Sequence, residues 1–286
     1  MKLDKQSIRK FCQFVLNEDI GSGDATTLAI VPENATTIAH FRTREECVCA
    51  GMPVLKILFE MLDPTLTLQP NVAEGTLCAP GTNMATISGH ARAILTGERP
   101  ALNFLQRLSG VATITHQYVQ ALGKSKTVLL DTRKTTPGFR QLEKYAVAMG
   151  GGHNHRMGLF DRVMIKDNHR EMAKMIGPDS IALAVQACRK KYPNLEIEVE
   201  ADTLEEVRLA AEAKVEYILL DNMSNDTMLK ALEIIAGRAK SEASGNITIE
   251  RLPSMRNLGL DYISVGALTH SAQAIDIGLD IMPHES

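Results

Sequence analysis

EIEVEADTLEEVRLAAEAKVEYILLD, residues 196–221, holds one complete unit of regular structure. Two short apolar runs each end in a carboxylate, and a helix-patterned segment lies between them. The helical part opens on a capping box: the Thr203 hydroxyl can accept from the Glu206 amide while the Glu206 side chain reaches back. Strand, helix, strand is a βαβ unit, with parallel strands and a right-handed crossover.

The same rhythm runs outward from there. TVLLD (127–131), RVMIK (162–166), EIEVE (196–200), YILLD (217–221), a weaker KSEAS (240–244) and YISVG (262–266) read as strands. Helical patterns fill the gaps, as in NDTMLKALEIIAG (225–237), which has an apolar face at helical spacing. The sheet is therefore parallel, either a barrel or an open doubly wound sheet. Nearly every run ends on a residue of functional type: Asp131, Lys166, Glu200, Asp221, Ser244, Gly266. In parallel α/β proteins the carboxyl ends of the strands form the active face. An open sheet gathers only those near its switch point, whereas a barrel gathers them all, so a barrel is preferred. Six strands are fewer than a closed eight-stranded barrel needs, so the barrel is incomplete or strands are missing from the reading.

The first ninety or so residues read differently. A leading amphipathic helix (1–21) precedes alternating segments such as TTIAHFRTREECVCAG (36–51) and TLTLQP (65–70), which indicate half-buried antiparallel strands in an α+β unit. GERPALNFLQRLSGVATITHQYVQAL (97–122) reads as a long helix leading into the second half, although Pro100, like Pro253 later, sits where helix is expected.

Composition excludes several functions. The 286 residues are 44% hydrophobic and 23% charged, with 31 basic and 34 acidic side chains, so wholesale nucleic-acid binding is not expected. No apolar run is long enough for a membrane span, and the amino terminus lacks the apolar block of a signal peptide. The five cysteines, at 12, 47, 49, 78 and 188, are odd in number and form no CxxC pair, which points to a reducing, cytoplasmic setting.

Against that near-neutral background, residues 131–169 hold seven Lys and Arg and three His. Arg133 and Lys134 follow one strand, His155 and Arg156 follow a triple glycine, and Lys166 ends the next strand. Cations drawn to within roughly 6 Å of one another repel by roughly 2–3 kcal/mol per pair at an effective dielectric of about 20. A polyanionic ligand explains that arrangement; pairing with Asp131, Glu143, Asp161 and Asp167 is the structural alternative. Glu200 and Asp221, one βα unit apart, are suited to Mg²⁺ or to sugar hydroxyls. The glycines at 150–152 serve equally as a phosphate cradle or a helix stop. His153 and His155 form an HxH pair without an evident third ligand, so a zinc or iron site is not expected. EASGN (242–246) and SVGALTHSA (264–272), two late strand ends followed by small residues, fit a monophosphate site. Lys166 could instead form a Schiff base, which leaves an aldolase as a rival.

Several motifs in order, LLDTRKTTPGFRQLEKYAV, GGGHNHRMGLFDRVMIKDNH, EASGN and DYISVGALTHSA, with GERPALNFLQRLSG, GDATT and REECVCAGMPV upstream, closely resemble the quinolinate phosphoribosyltransferase family. The resemblance implies an α/β fold: an N-terminal open-faced α+β sandwich plus an incomplete, about six-stranded, parallel α/β barrel. The expected boundaries are 1–110 with the linking helix, 111–272 for the barrel, and a tail at 273–286 packing back on the first domain. It further implies a reaction of quinolinate with phosphoribosyl pyrophosphate and Mg²⁺, giving nicotinate mononucleotide, pyrophosphate and CO₂ for NAD biosynthesis. The assembly it implies is a homodimer, or a hexamer built from three dimers.

Carried over by position, Arg133, Arg156 and Lys166 would bind the quinolinate carboxylates, and Arg99 would reach a neighbouring subunit's site. Thr132, Lys134 and His155 would lie in the same wall. Glu200 and Asp221 would handle Mg²⁺ and ribose hydroxyls, with Lys134, Lys166, Glu200 and Asp221 as the catalytic group. Ser244, Gly245, Asn246, Val265, Gly266, Ala267 and His270 would bind the 5′-phosphate. Asn246 replaces the second glycine that many relatives show after EASG. A molybdenum-transport-associated paralogue tends to lose the NHRMGL and KDNH context that this chain keeps. A non-catalytic metabolite sensor would bind without turnover.

Overall fold

The computed structural model describes residues 3–175 and 180–282. Contacts divide it into two compact units. One gathers Met1–His116, Gln141–Gly151 and Ser271–Ser286; the other gathers Gln117–Arg140 and Gly152–His270.

The first unit opens with α1 (Lys5–Ile20), whose N-cap Asp4 accepts from the Ser7 amide and whose inward face is Ile8, Cys12 and Leu16, spaced four apart. Then come α2 (Ala25–Ile30), capped by Asp24, β1 (Thr36–Thr43), β2 (Cys47–Val48) and α3 (Met52–Leu62). After β3 (Thr67–Pro70), β4 (Leu77–Cys78) and β5 (Asn83–His90), the chain enters α4 (Ala91–Leu122). Pro100 sits inside α4 without ending it. Burial alternates along β1, with Ala39, Phe41 and Thr43 inward, as a strand with one covered face requires.

Beyond α4 lie β6 (Val128–Leu130), α5 (Arg140–Met149), β7 (Val163–Ile165), α6 (Asp167–Ala173) and α7 (Ser180–Lys191). The alternation continues through β8 (Ile197–Ala201), α8 (Leu204–Glu212), β9 (Tyr217–Asp221), α9 (Asn225–Ile235) and β10 (Lys240–Ser244). It ends with α10 (Leu252–Met255), β11 (Tyr262–Ser264), α11 (Ala267–His270) and β12 (Ile277–Ile281). Pro253 falls in the first turn of α10, where a missing amide hydrogen costs nothing. The capping box read at Thr203 is present at the start of α8.

The antiparallel sheet of the first unit has the order β12–β1–β5–β3, so the tail strand pairs with β1. The last four residues of that tail, 283–286, lie outside the described residues. Helix α5, apart from Arg140, groups with this unit: the Tyr145 hydroxyl donates to Glu74 Oε2 at 2.6 Å, and Glu143 pairs with Arg107. Glu74 also accepts from the Gly51 and Met52 amides at the start of α3.

The second unit is the α/β barrel. Its six parallel strands run β6–β11–β10–β9–β8–β7. Apart from the closing β6–β11 pair, each strand neighbours the next in sequence, so the sheet is singly wound and has no switch point. That rules out the doubly wound alternative. A seam stays open between β6 and β7, where a single parallel bridge joins Leu130 to His153. Among the described residues no helix is long and apolar enough to cross a membrane.

Candidate active site

The carboxyl ends of all six parallel strands meet at one cavity of about 370 Å³. Thr132, Arg133 and Lys134 follow β6; Met164 comes from β7 and Lys166 from just after it, Glu200 from β8, Asp221 from β9, Ser244 from β10 and Ser264 from β11. His155 and Arg156 complete the wall from the segment beside the open seam. Nine of the residues singled out in the sequence thus line one cavity: Thr132, Arg133, Lys134, His155, Arg156, Lys166, Glu200, Asp221 and Ser244.

Of the residues matched to a phosphate site, Ser244 lines the cavity, while Gly245, Asn246, Val265, Gly266, Ala267 and His270 do not. Gly266 is packed so closely that a Cβ there would come within 3.0 Å of Lys134 Cδ and 3.1 Å of His270 Nε2, which places Lys134 and His270 at one spot. The Thr269 hydroxyl donates to the Lys134 carbonyl at 2.7 Å, tying α11 to the loop after β6. Val265 is buried and extends the β6–β11 pairing through its amide to Leu130 O, and Ala267 opens α11. Gly245 and Asn246 take left-handed backbone at φ +89° and +50°. Arg99 is an exposed residue of α4 in the first unit and does not line the cavity.

Two arginines set the electrostatics. Arg156 is 9% exposed, and its guanidinium donates to the Arg162 carbonyl and to the Met164 sulfur. Burial, then the charge of Arg133, hold its pKa below the usual guanidinium value. The buried Nε of Arg133 makes no hydrogen bond. Donors aimed at a thioether, or at nothing, are what an anion would satisfy. Of the acids offered as alternative partners, Asp161 accepts from the Met157 and Gly158 amides while its charge still acts on Arg156, and Glu143 accepts from Arg107 in the first unit. Asp131, fully buried, accepts from Asn154 Nδ2 at 2.7 Å and from the His155 amide at 2.8 Å, which fixes the backbone that presents His155. Lys166 differs from the arginines, because its ammonium group bonds Glu200 on the neighbouring strand.

Beside His155 lie two carboxylates that the sequence reading did not single out, and one of them, Glu242, lines the cavity as well. His155 Nε2 is 3.2 Å from Glu198 Oε2 and 3.3 Å from Glu242 Oε2, and both glutamates are fully buried. Burial opposes the imidazolium, but the two carboxylates outweigh it and raise the ring to about 9. The Arg156 amide, 2.7 Å from Nδ1, works the other way, since a proton on that nitrogen would displace its hydrogen bond. Burial also works against ionisation of Glu198, yet His155 and Arg162 hold its carboxyl below the usual range. Glu242 is pushed up by burial and by the charge of Glu198.

Two glycine and histidine readings are now resolved. Gly150 and Gly151 end α5: Gly151 has φ +91°, and a Cβ on Gly150 would lie 2.3 Å from the Ala112 carbonyl of α4. The triple glycine is a helix stop and a close-packing device, and it lines no part of the cavity. His153 is exposed while His155 is buried, so the two do not act as a metal-binding pair. The one trio of possible metal-ligating groups among the described residues is His155, Glu198 and Glu242. Its imidazole donor does not suit Mg²⁺, which takes oxygen ligands.

Comparison with known proteins adds a family. The profile for the quinolinate phosphoribosyl transferase C-terminal domain matches residues 111–280, and that for the N-terminal domain matches residues 24–109. A Synechocystis protein described as a probable nicotinate-nucleotide pyrophosphorylase (carboxylating) is 43% identical over 271 residues, 93% of this chain and 90% of that one. The Bacillus subtilis protein of the same description is 40% identical, over 96% of this chain and 93% of its own. The solved structure of the nicotinate-nucleotide pyrophosphorylase from Francisella tularensis superposes with a TM-score of 0.91 at 37% identity, covering 98% of each chain.

Proposed function

The chain belongs to the quinolinate phosphoribosyltransferase family, and we infer that it joins quinolinate to phosphoribosyl pyrophosphate. The products are nicotinate mononucleotide, pyrophosphate and CO₂, in NAD biosynthesis. The observation that carries this reading to the site is the pair of guanidinium groups, Arg133 and Arg156, facing one cavity with donors left over. Quinolinate brings two carboxylates, and arginine forks match carboxylates in plane and spacing. With those carboxylates clamped, the ring nitrogen is aimed at the ribose C1, and positioning of this kind supplies a large part of the rate.

At the reacting carbon the bond to pyrophosphate breaks and the bond to the quinolinate nitrogen forms. The ring is then a pyridinium, which accepts the electron pair released when the adjacent carboxylate leaves as CO₂, and a proton takes its place. Lys134, which lines the cavity, and His270, gathered with it at Gly266, would receive the 5′-phosphate of the substrate. Glu200 and Asp221 occupy adjacent strand tips, Glu200 being in register with Leu219, two residues before Asp221. Two carboxylates and no nitrogen donor fit Mg²⁺, which binds through one or two carboxylates together with substrate phosphates. Bound there, the ion would neutralise charge on the departing pyrophosphate.

The Lys166–Glu200 pair gives Lys166 two duties, since it can reach a quinolinate carboxylate and also set where Glu200 points. Lys166→Ala then weakens quinolinate use directly and loosens Glu200 as well. The same pair argues against a Schiff-base lyase, which needs a free amine. For Arg99, exposed on α4, we propose contact with the site of a second copy of the chain in a homodimer.

The decisive test supplies purified protein with quinolinate, phosphoribosyl pyrophosphate and Mg²⁺. Loss of quinolinate absorbance should track CO₂ release one for one, and nicotinate should not replace quinolinate. Binding of quinolinate without turnover would make the protein a sensor and overturn the reading.

A further inference from the structure

We propose that Asn222 is a positioning residue for Asp221, locked in place by Asn246 from the loop of the next strand. This rests on the reading of Asp221 as a group that handles the ribose end of phosphoribosyl pyrophosphate. Neither asparagine lines the cavity, whereas their neighbours Asp221 and Ser244 both do.

Asn222 leaves β9 with φ +54°, and its amide hydrogen bonds to Ser244 O at 2.9 Å, carrying the β9–β10 pairing one residue past the strand end. Its side chain then spans the two loops. Asn222 Nδ2 is 2.7 Å from Asp221 Oδ2, and Asn222 Oδ1 is 3.0 Å from Asn246 Nδ2. Donor and acceptor roles leave no choice of orientation. An ionised carboxylate can only accept, so the Asn222 nitrogen must face Asp221, and the remaining oxygen can only accept from Asn246.

The backbone is shaped around that amide. Asn246 has φ +50° and Gly245 has φ +89°. A Cβ on Gly245 would lie 2.2 Å from Asn222 Oδ1, so only glycine leaves room for the Asn222 side chain. Three residues in two loops thus adopt left-handed backbone about one carboxamide, a conformation that asparagine tolerates better than most side chains. Both asparagines are exposed, where water would satisfy their amides without any such arrangement. What the network achieves is a fixed Asp221 side chain. A carboxylate already held in one rotamer loses less freedom when substrate binds, and that difference should appear in the affinity for phosphoribosyl pyrophosphate. The loop proposed to meet the 5′-phosphate and the carboxylate proposed to meet the ribose become one rigid piece.

The test is steady-state kinetics of the full-length protein with each substrate varied in turn, alongside melting temperatures. Asn222→Ala should raise KM for phosphoribosyl pyrophosphate about tenfold, the scale of one hydrogen bond to a charged group, with KM for quinolinate little changed. Asn222→Asp keeps the shape but sets a carboxylate against Asp221, so it should be worse than Asn222→Ala; a merely structural role would be rescued by it. Asn246→Gly preserves the backbone and removes only the donor, and should raise the same KM roughly threefold. In the double variant Asn222→Ala with Asn246→Gly, the second change should add nothing. Asp221→Asn is the reference. If it leaves KM for phosphoribosyl pyrophosphate unchanged, the assignment of Asp221 fails. If it raises that KM while the Asn222 variants do not, or lower only the melting temperature, the positioning role is overturned.

Discussion

The core of the first unit and the mouth of the barrel treat buried polar atoms in opposite ways. In the first unit the half-buried Glu74 accepts from the Gly51 and Met52 amides and from the Tyr145 hydroxyl, and outside the core Asp4 and Asp24 each cap the start of a helix. Among the described residues its one buried side-chain polar atom without a hydrogen bond is Asn83 Oδ1. In the second unit Arg133 Nε, Glu198 Oε1 and both Glu242 oxygens around the mouth are in that condition, with Glu242 Oε2 facing His155 Nε2 at 3.3 Å, as are Arg170 Nε and Asn225 Oδ1. Buried groups left this way cost stability, so their clustering in one unit marks where folding has been compromised for binding. The comparison predicts that substitutions in the two regions will separate into losses of stability and losses of activity.

Phe41→Ala should show the largest effect of the first kind. Phe41 is fully buried on β1, its ring centroid 6.1 Å from that of Phe59. Removing it should cost about 3–5 kcal/mol of unfolding free energy in a denaturant titration. The folded fraction should keep its kcat/KM for both substrates. A loss of specific activity at full folding would break the separation.

Arg133→Ala is the counterpart at the mouth. Removing one partner of a buried charge-assisted contact costs about 3 kcal/mol, or roughly a hundredfold in kcat/KM for quinolinate. Stability should hold or rise slightly, because the repulsion felt by Arg156 is relieved. A variant that loses stability instead would show that Arg133 holds the barrel together.

What was legible in the sequence follows the same division. Strand tips were readable because apolar runs of three to five residues ended in charged or small residues, and all six became strands. The partners within the mouth were not. In EIEVE the alternate glutamates look like the solvent face of a half-buried strand, yet Glu198 points into the barrel and meets His155 there. Glu242 is hidden in the same way in the weak run KSEAS. Pairing across strands depends on register, which places Glu200 beside Lys166 and Asn222 beside Asn246. Spacing along one strand carries no information about it. The triple glycine was ambiguous because a helix stop and a phosphate cradle use the same residues; the close approach of Gly150 to α4 decides it.

The mouth also responds to pH, through His155. Its pKa in the folded chain is raised from 6.5 to about 9, so the stability it contributes is fully present below pH 6.5 and lost as pH rises through about 9. An NMR titration of the imidazole should place the transition near 9, and Glu242→Gln, which keeps the shape and removes the charge, should move it down. A transition below 6.5 in the unaltered protein would mean that the Arg156 amide keeps Nδ1 unprotonated and wins over both carboxylates.

Thr203→Ala should do the least. The Thr203 hydroxyl accepts from the Glu206 amide at 3.2 Å, and Glu206 Oε2 accepts in return from the amides of Asp202 and Thr203. Loss of such a cap costs about 1 kcal/mol. The cap lies in the same unit as the mouth and only a few residues beyond Glu200, so it asks whether proximity in sequence or membership of the network decides a residue's role. Since Glu206 still accepts from the Asp202 amide in the variant, β8 keeps its exit geometry and Glu200 its pairing with Lys166. Melting temperature should fall slightly while KM for both substrates stays put. A rise in KM for phosphoribosyl pyrophosphate would instead mean that the start of α8 helps to aim Glu200, and that the mouth extends further into the helical layer than its lining residues show.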